Sequence, residues 1–103
     1  MKLSYADYVP ALKAISDETR LKIIDILSCG ERCACELLDY FSISQSTLSY
    51  HMKILTESGL VNAARDGAKM IYTLNSIKAD SLLNGLNAVF SDTEDCICKI
   101  HKK

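Results

Sequence analysis

The chain has 103 residues, 49% of them hydrophobic, with 12 Lys+Arg against 13 Asp+Glu; this reads as one domain able to bury a core, and the balanced charge confines any nucleic-acid surface to a local patch. It contains no apolar run of the length a membrane span needs and no charged-then-apolar export signal, so the expected setting is the cytoplasm, away from membranes. Five cysteines in a reducing compartment point to metal or redox chemistry rather than to a disulfide framework.

Tyr5, Tyr8, Val9, Leu12 and Ile15 recur at spacings of three and four, which predicts an amphipathic helix over 5–15. A start near Asp7 would leave Pro10 in the first turn, where its missing N–H does little harm. Ser16-Asp17-Glu18-Thr19-Arg20 opens a second helix, with a cap residue and acids that complement the helix dipole. Its expected core face is Leu21, Ile24, Ile26 and Leu27, with Ile23 beside them, and Gly30 is a suitable left-handed stop. A short third helix is expected from about Cys33 to Phe41, burying Leu37, Leu38 and Phe41. The tight connection Ser42-Ile43-Ser44 then leads into a fourth helix, and two helices so joined form a helix-turn-helix.

The fourth helix, about 44–57, carries the sharpest pattern. Ser44 is a good N-cap, and Leu48, Met52 and Leu55 make one narrow apolar face. The other face holds Gln45, Ser46, Ser49, Tyr50 and Lys53, with no acid until Glu57. A surface so rich in hydrogen-bonding groups and so poor in acids suits a groove lined with base edges and phosphates. In a helix-turn-helix this second helix is the one that enters the major groove. His51, beside the apolar face, reads as a packing or backbone-bonded residue rather than a ligand.

Gly59 ends that helix. Leu60 to Arg65 and Lys69 to Leu74 read as strands around Asp66-Gly67, a strong hairpin signal. A hairpin after a helix-turn-helix is a wing (about 60–74), and Arg65 and Lys69 at its tip can meet phosphates. After the break at Asn75-Ser76, Leu82, Leu83, Leu86, Val89 and Phe90 predict a last amphipathic helix over 79–90. The expected fold is therefore mainly α with a small β-hairpin, a winged helix-turn-helix in the order α-α-α-α-β-β-α. Its apolar end helices suggest a homodimer. The expected division is a DNA-binding and dimerisation domain over 1–90 and a flexible tail over 91–103 that carries Cys96, Cys98 and His101.

With these elements in place, specific residues resemble the ArsR/SmtB family of metal-sensing repressors. They are Ser16-Asp17-Glu18-Thr19-Arg20-Leu21, the stretch Ser44 to Met52, Glu57-Ser58-Gly59-Leu60-Val61, and Arg65-Asp66-Gly67 with Ile71-Tyr72. Glu31-Arg32-Cys33-Ala34-Cys35-Glu36-Leu37-Leu38 looks like the Cys-Val-Cys box of the arsenite- and cadmium/lead-sensing branches. The resemblance implies a homodimer that occupies double-stranded operator DNA without metal and leaves when metal binds. It implies DNA contacts from Gln45, Ser46, Ser49 and Tyr50, with Ser44 capping and Arg65 on the wing. The chain departs from the family's subgroups in three places. The arsenite sensors' third cysteine is replaced by Leu38, no cysteine precedes Cys29 as in the cadmium/lead sensors, and the last helix lacks the histidines of the zinc sensors. The Cys-X-Cys box with a second Cys-X-Cys near the C-terminus looks most like plasmid-type arsenical repressors of Gram-positive bacteria.

Thiolates are the preferred ligands of soft ions, and Cys33 and Cys35 near a helix N-terminus favour the thiolate form. On a helix, positions two apart point roughly 200° from each other, so gripping one ion is expected to distort the start of the third helix and re-aim the reader behind it. Cys29 reads as core, while Cys96 and Cys98 stand as auxiliary ligands. The expected function is a repressor released by arsenite or antimonite. The alternatives are a cadmium, lead or zinc sensor built from the same cysteines and a regulator switched by thiol oxidation. No nucleophile triad, phosphate-binding glycine loop or carboxylate pair supports an enzyme.

Overall fold

The computed structural model describes residues 5–91; Cys96, Cys98 and His101 lie outside them. Its elements in chain order are α1 (Tyr5–Ile15), α2 (Glu18–Leu27), β1 (Arg32–Cys33), α3 (Ala34–Leu38), α4 (Gln45–Glu57), β2 (Val61–Asp66), β3 (Lys69–Leu74) and α5 (Ser76–Phe90). This is a winged helix-turn-helix, as the pattern predicts, with one strand more than expected. β1 pairs with β3, so the antiparallel sheet runs β1-β3-β2. Arg32 faces Tyr72 and Cys33 faces Ile71, which ties the segment before α3 to the wing.

Ser44 caps α4 as the sequence expects, whereas α2 is capped by Asp17 rather than Ser16, and α5 by Asn75, expected only as a break. The Asp17 carboxylate accepts from the Arg20 N–H at the start of α2, Ser44 accepts from the Thr47 N–H at the start of α4, and Asn75 accepts from the Lys78 N–H at the start of α5. Each bond satisfies one of the donors that a helix start leaves free. α5 therefore begins at its cap, Asn75, and takes in Ser76 to Lys78 ahead of the expected start at Ala79. α1 runs from Tyr5 with Pro10 inside it, past the first turn. Pro10 is on the exposed side, where the carbonyl it leaves without a partner can turn to water.

The core gathers Ile23, Leu37, Leu48, Met52, Leu55 and Val61, all fully buried. Among the described residues no polar or charged side chain is buried, so the interior is held by apolar contact alone. α2 differs from expectation: Ile23 and Leu27 face inward, whereas Leu21 is 52% exposed. Five apolar residues in ten admit more than one stripe, and the stripe at i, i+4, Ile23 and Leu27, is the one buried. α3 is also shorter than its pattern, ending at Leu38. Asp39, Tyr40 and Phe41 continue it as a run of i−3 backbone bonds, the tight geometry common at helix ends.

α1 and α5 touch through an unforeseen contact. Gly85 is buried in α5, and a Cβ placed there would overlap the Tyr8 ring. The Tyr8 ring thus occupies the space a side chain would need. Gly85→Ala is expected to destabilise the fold by about 1–3 kcal/mol, the usual cost of overpacking. Thermal unfolding checks this, and pairing it with Tyr8→Leu, which vacates the space, should return part of the loss. An unchanged melting temperature for Gly85→Ala would refute the packing.

Candidate nucleic-acid interface and cysteine site

α4 is held on its inner side by Leu48, Met52 and Leu55. Its outer side presents Gln45, Ser46, Ser49, Tyr50 and Lys53, all exposed, Tyr50 by 60%. The first turn contains no acid, so nothing there opposes the positive end of the helix dipole. Ser44 is occupied as a cap: its hydroxyl accepts from the Thr47 N–H at 3.1 Å and donates to the Thr47 hydroxyl at 2.9 Å. The structure therefore brings the candidate reading residues onto one free face and gives Ser44 the work of ending the turn.

A second anchor joins α4 to the other end of the domain. The Arg20 guanidinium donates to the Ala14 carbonyl at 2.6 Å and meets His51 Nδ1 at 3.1 Å. A guanidinium offers only donors, so Nδ1 acts as the acceptor. His51 is thus a packing residue, as expected, but its partner is a side chain from α2. The Tyr50 and His51 rings also meet edge to face, with centroids 5.3 Å apart, so the Arg20 link bears on an exposed residue of the reading face. Near this anchor, the Arg20 backbone N–H holds the Asp17 carboxyl below its usual range, against a smaller opposing effect of burial and with the Arg20 charge adding to the lowering. A depressed carboxyl stabilises the fold above its unfolded pKa, and the contribution is lost as pH falls through the folded value. Stability is therefore expected to drop on acidification through and below the ordinary aspartate range. Asp17→Asn should flatten that part of the profile in acid-titrated unfolding, and an identical profile would exclude the effect.

The wing tip matches its pattern. Gly67 takes φ 64°, the positive value its turn needs. Arg65 pairs with Met70, and Asp66 pairs with Lys69. Arg65 and Lys69 are exposed, but Lys69 faces an acid across the hairpin, leaving Arg65 as the freer cation.

The cysteine box departs most from the sequence expectation. Cys33 is not in the helix. It closes β1 in an extended conformation, φ −80° and ψ 163°, and caps α3. Its sulfur accepts from the Glu36 N–H at 3.3 Å, while the Glu36 carboxylate accepts from the Cys33 N–H at 2.8 Å, a reciprocal capping box. The extended residue swings the sulfur over the first turn, where it meets Cys35. The two are disulfide-linked, with Cα atoms 5.4 Å apart. The 200° separation of an all-helical box therefore does not apply, and the pair can share one ion without unwinding α3. Cys29, expected in the core, is exposed.

Cys35 opens onto a cavity of about 210 Å3 that periodicity gave no sign of. Ala34, Cys35 and Leu38 of α3 form one wall, Gln45, Leu48, Ser49 and Met52 of α4 another, and Tyr72 of β3 the third. Burial pushes the Tyr72 phenol above its usual range. Trivalent arsenic and antimony prefer three sulfurs in a pyramid; Cys33 and Cys35 offer two side by side. Among the described residues no group of three His, Cys, Asp or Glu is placed to hold a metal ion, so the box by itself fits a soft ion in part.

Fold and exposed α4 face together define a winged helix-turn-helix DNA-binding protein, not an enzyme. Residues 17–63 match the family described as bacterial regulatory protein, arsR family. The chain is 45% identical to the arsenical resistance operon repressor of Staphylococcus aureus over 94% of its own length and 93% of that protein's. The chain thus belongs to the arsR family of transcriptional repressors. It also resembles the crystal structure of a possible transcriptional regulator for arsenical resistance, at 30% identity and TM-score 0.72 over 79% of this chain and 84% of that one. A further likeness is to the homodimeric winged helix-turn-helix DNA-binding domain of a possible ArsR-family regulator from Mycobacterium bovis, at 26% identity and TM-score 0.67 over 81% and 79% of the two chains. Among the described residues no helix is long and apolar enough to cross a membrane.

Proposed function

We propose that this chain is a cytoplasmic homodimeric repressor of an arsenical-resistance operon, released from its operator when arsenite or antimonite binds Cys33 and Cys35. The observation that carries the reading is the meeting of these two sulfurs beside a cavity whose far wall is Gln45 and Ser49. A metalloid seated on Cys35 lies against the flank of α4 that carries Gln45 and Ser49. Gln45, Ser46, Ser49, Tyr50 and Lys53 are the proposed groove contacts, Ser44 positions them, and Arg65 and Lys69 meet backbone phosphates. Cys96 and Cys98 are auxiliary and supply the third sulfur.

Dimerisation is supported by exposed apolar residues on the paired end helices: Tyr5 and Val9 on α1, and Leu83, Val89 and Phe90 on α5, Phe90 by 85%. A surface of this kind marks an association site. Two reading helices would then address half-sites about 34–36 Å apart. Operator-binding anisotropy with increasing arsenite, run beside sedimentation of the same sample, tests the proposal. Dimers released by arsenite are the expected result; monomers indifferent to it would overturn it.

The disulfide between Cys33 and Cys35 favours one second reading, a thiol-redox switch at the same pair. Release by peroxide alone, with arsenite inert on reduced protein, would select it. Cadmium, lead and zinc in the same titration separate the remaining metal readings.

A further inference from the structure

We propose that Arg20 and His51 are positioning residues for the DNA-reading face, holding the Tyr50 ring in the orientation in which it meets the groove. This rests on the reading of Tyr50 as a groove contact and adds two residues that act through it.

The arm is built from α2. The Arg20 backbone N–H is tied to the Asp17 carboxylate at 3.1 Å. Its side-chain Nε donates to the Ala14 carbonyl at 2.6 Å, and Nη1 reaches His51 Nδ1 at 3.1 Å. Ala14 is buried in the last turn of α1, where helix carbonyls have no partner within the helix. Two nitrogens of one rigid plane thus meet acceptors on two different helices. That fixes the guanidinium, and the guanidinium fixes the imidazole. A lysine carries its donors on a single nitrogen at the end of a flexible stem and does not reproduce the pair of bonds.

The arm ends at Tyr50. His51 is half-buried, whereas Tyr50 is 60% exposed. The two rings meet edge to face, with centroids 5.3 Å apart and planes at 63°, an arrangement in which aromatic rings attract. The imidazole therefore has Arg20 on one side and the Tyr50 ring on another. An exposed side chain that must be stilled at an interface costs affinity, and one already held costs less. The core joins the helices through Ile23, Leu48 and Met52. Apolar contact is non-directional; the polar arm adds orientation at the edge of the reading face, as a satisfied network can.

The test is a double-mutant cycle on the full chain, with operator and scrambled duplexes followed by anisotropy. His51→Leu removes both the ring and the acceptor. Arg20→Lys keeps the charge and gives up the fork. Each is made in the parent chain and in Tyr50→Ala, and should one not fold, the other carries the cycle. His51→Leu is expected to weaken operator binding about three- to tenfold, the scale of an aromatic pair contact, and Arg20→Lys to weaken it less. Neither should change affinity for scrambled DNA, and neither should cost anything further once Tyr50 is alanine, because residues that act through one another are not additive. Nuclear magnetic resonance of the DNA-free protein with isotope-labelled tyrosine rings gives a second readout. The Tyr50 signal, identified by its loss in Tyr50→Ala, should shift in both variants. Losses of equal size with and without Tyr50, an unmoved Tyr50 signal, or no loss in either variant while Tyr50→Ala weakens the operator would overturn the positioning role and leave Tyr50 as a groove contact. Unchanged operator affinity in Tyr50→Ala would remove the groove contact itself, and this proposal with it.

Discussion

Cys33→Ser/Cys35→Ser protein is expected to stay on its operator at arsenite concentrations that strip the unsubstituted chain. Serine keeps nearly the size of cysteine and removes the soft ligand. It also keeps the local fold, because a serine oxygen at position 33 is a better N-cap than sulfur and can still accept from the Glu36 N–H. Apo DNA binding should therefore survive. Release demands that the ion favour the off-DNA shape, and each tenfold loss of operator affinity requires about 1.4 kcal/mol of such preference. A ligand on Cys35 meets this condition because the cavity it enters is bounded by Leu48 and Met52, two buried residues of α4. In the proposed switch, binding is coupled to α4 through these two residues. Anisotropy across an arsenite titration decides the matter: a double variant released at the same arsenite level as the parent would refute the switch.

The parts of the fold legible in the sequence are those written in local pattern. Ser44 ahead of Leu48, Met52 and Leu55 announces both the start of α4 and its inner face. Asp66-Gly67 announces the hairpin because only a few residues tolerate the backbone it needs. β1 was not legible. Arg32 and Cys33 are too short a run to show alternation, and what makes them a strand is the partner, Tyr72 and Ile71, some forty positions away. The same pairing pulls Cys33 out of the helix, so the geometry of the cysteine box was misjudged for a tertiary reason that spacing does not carry. In α2 the apolar residues are too many to point one way, and tertiary packing buries Ile23 and leaves Leu21 exposed. The Arg20–His51 link and the cavity each join elements distant in sequence. Nothing short of the assembled fold displays them, and the cavity brings Cys35 into one lining with Gln45 and Ser49.

Replacing Gln45 and Ser49 together by alanine is expected to weaken operator binding strongly while leaving the fold intact. Both side chains stand on the exposed face of α4, and neither makes a bond that holds the core. A glutamine can pair with the edge of adenine, and a good base contact is worth about 1–3 kcal/mol. Losing contacts at two positions thus costs at least about tenfold in affinity, and the loss falls on the operator rather than on arbitrary DNA. Arg65→Ala is the contrasting change. Arg65 sits exposed at the wing tip, opposite Met70 and clear of the Asp66–Lys69 pair, and its proposed partner is a phosphate. Its removal should weaken all sequences alike and lower the salt slope by about one phosphate contact. The measurement is affinity for operator and scrambled duplexes at several salt concentrations. Discrimination retained in the Gln45→Ala/Ser49→Ala protein would move base reading off this face, and an unchanged salt slope for Arg65→Ala would remove the wing from the phosphate contacts.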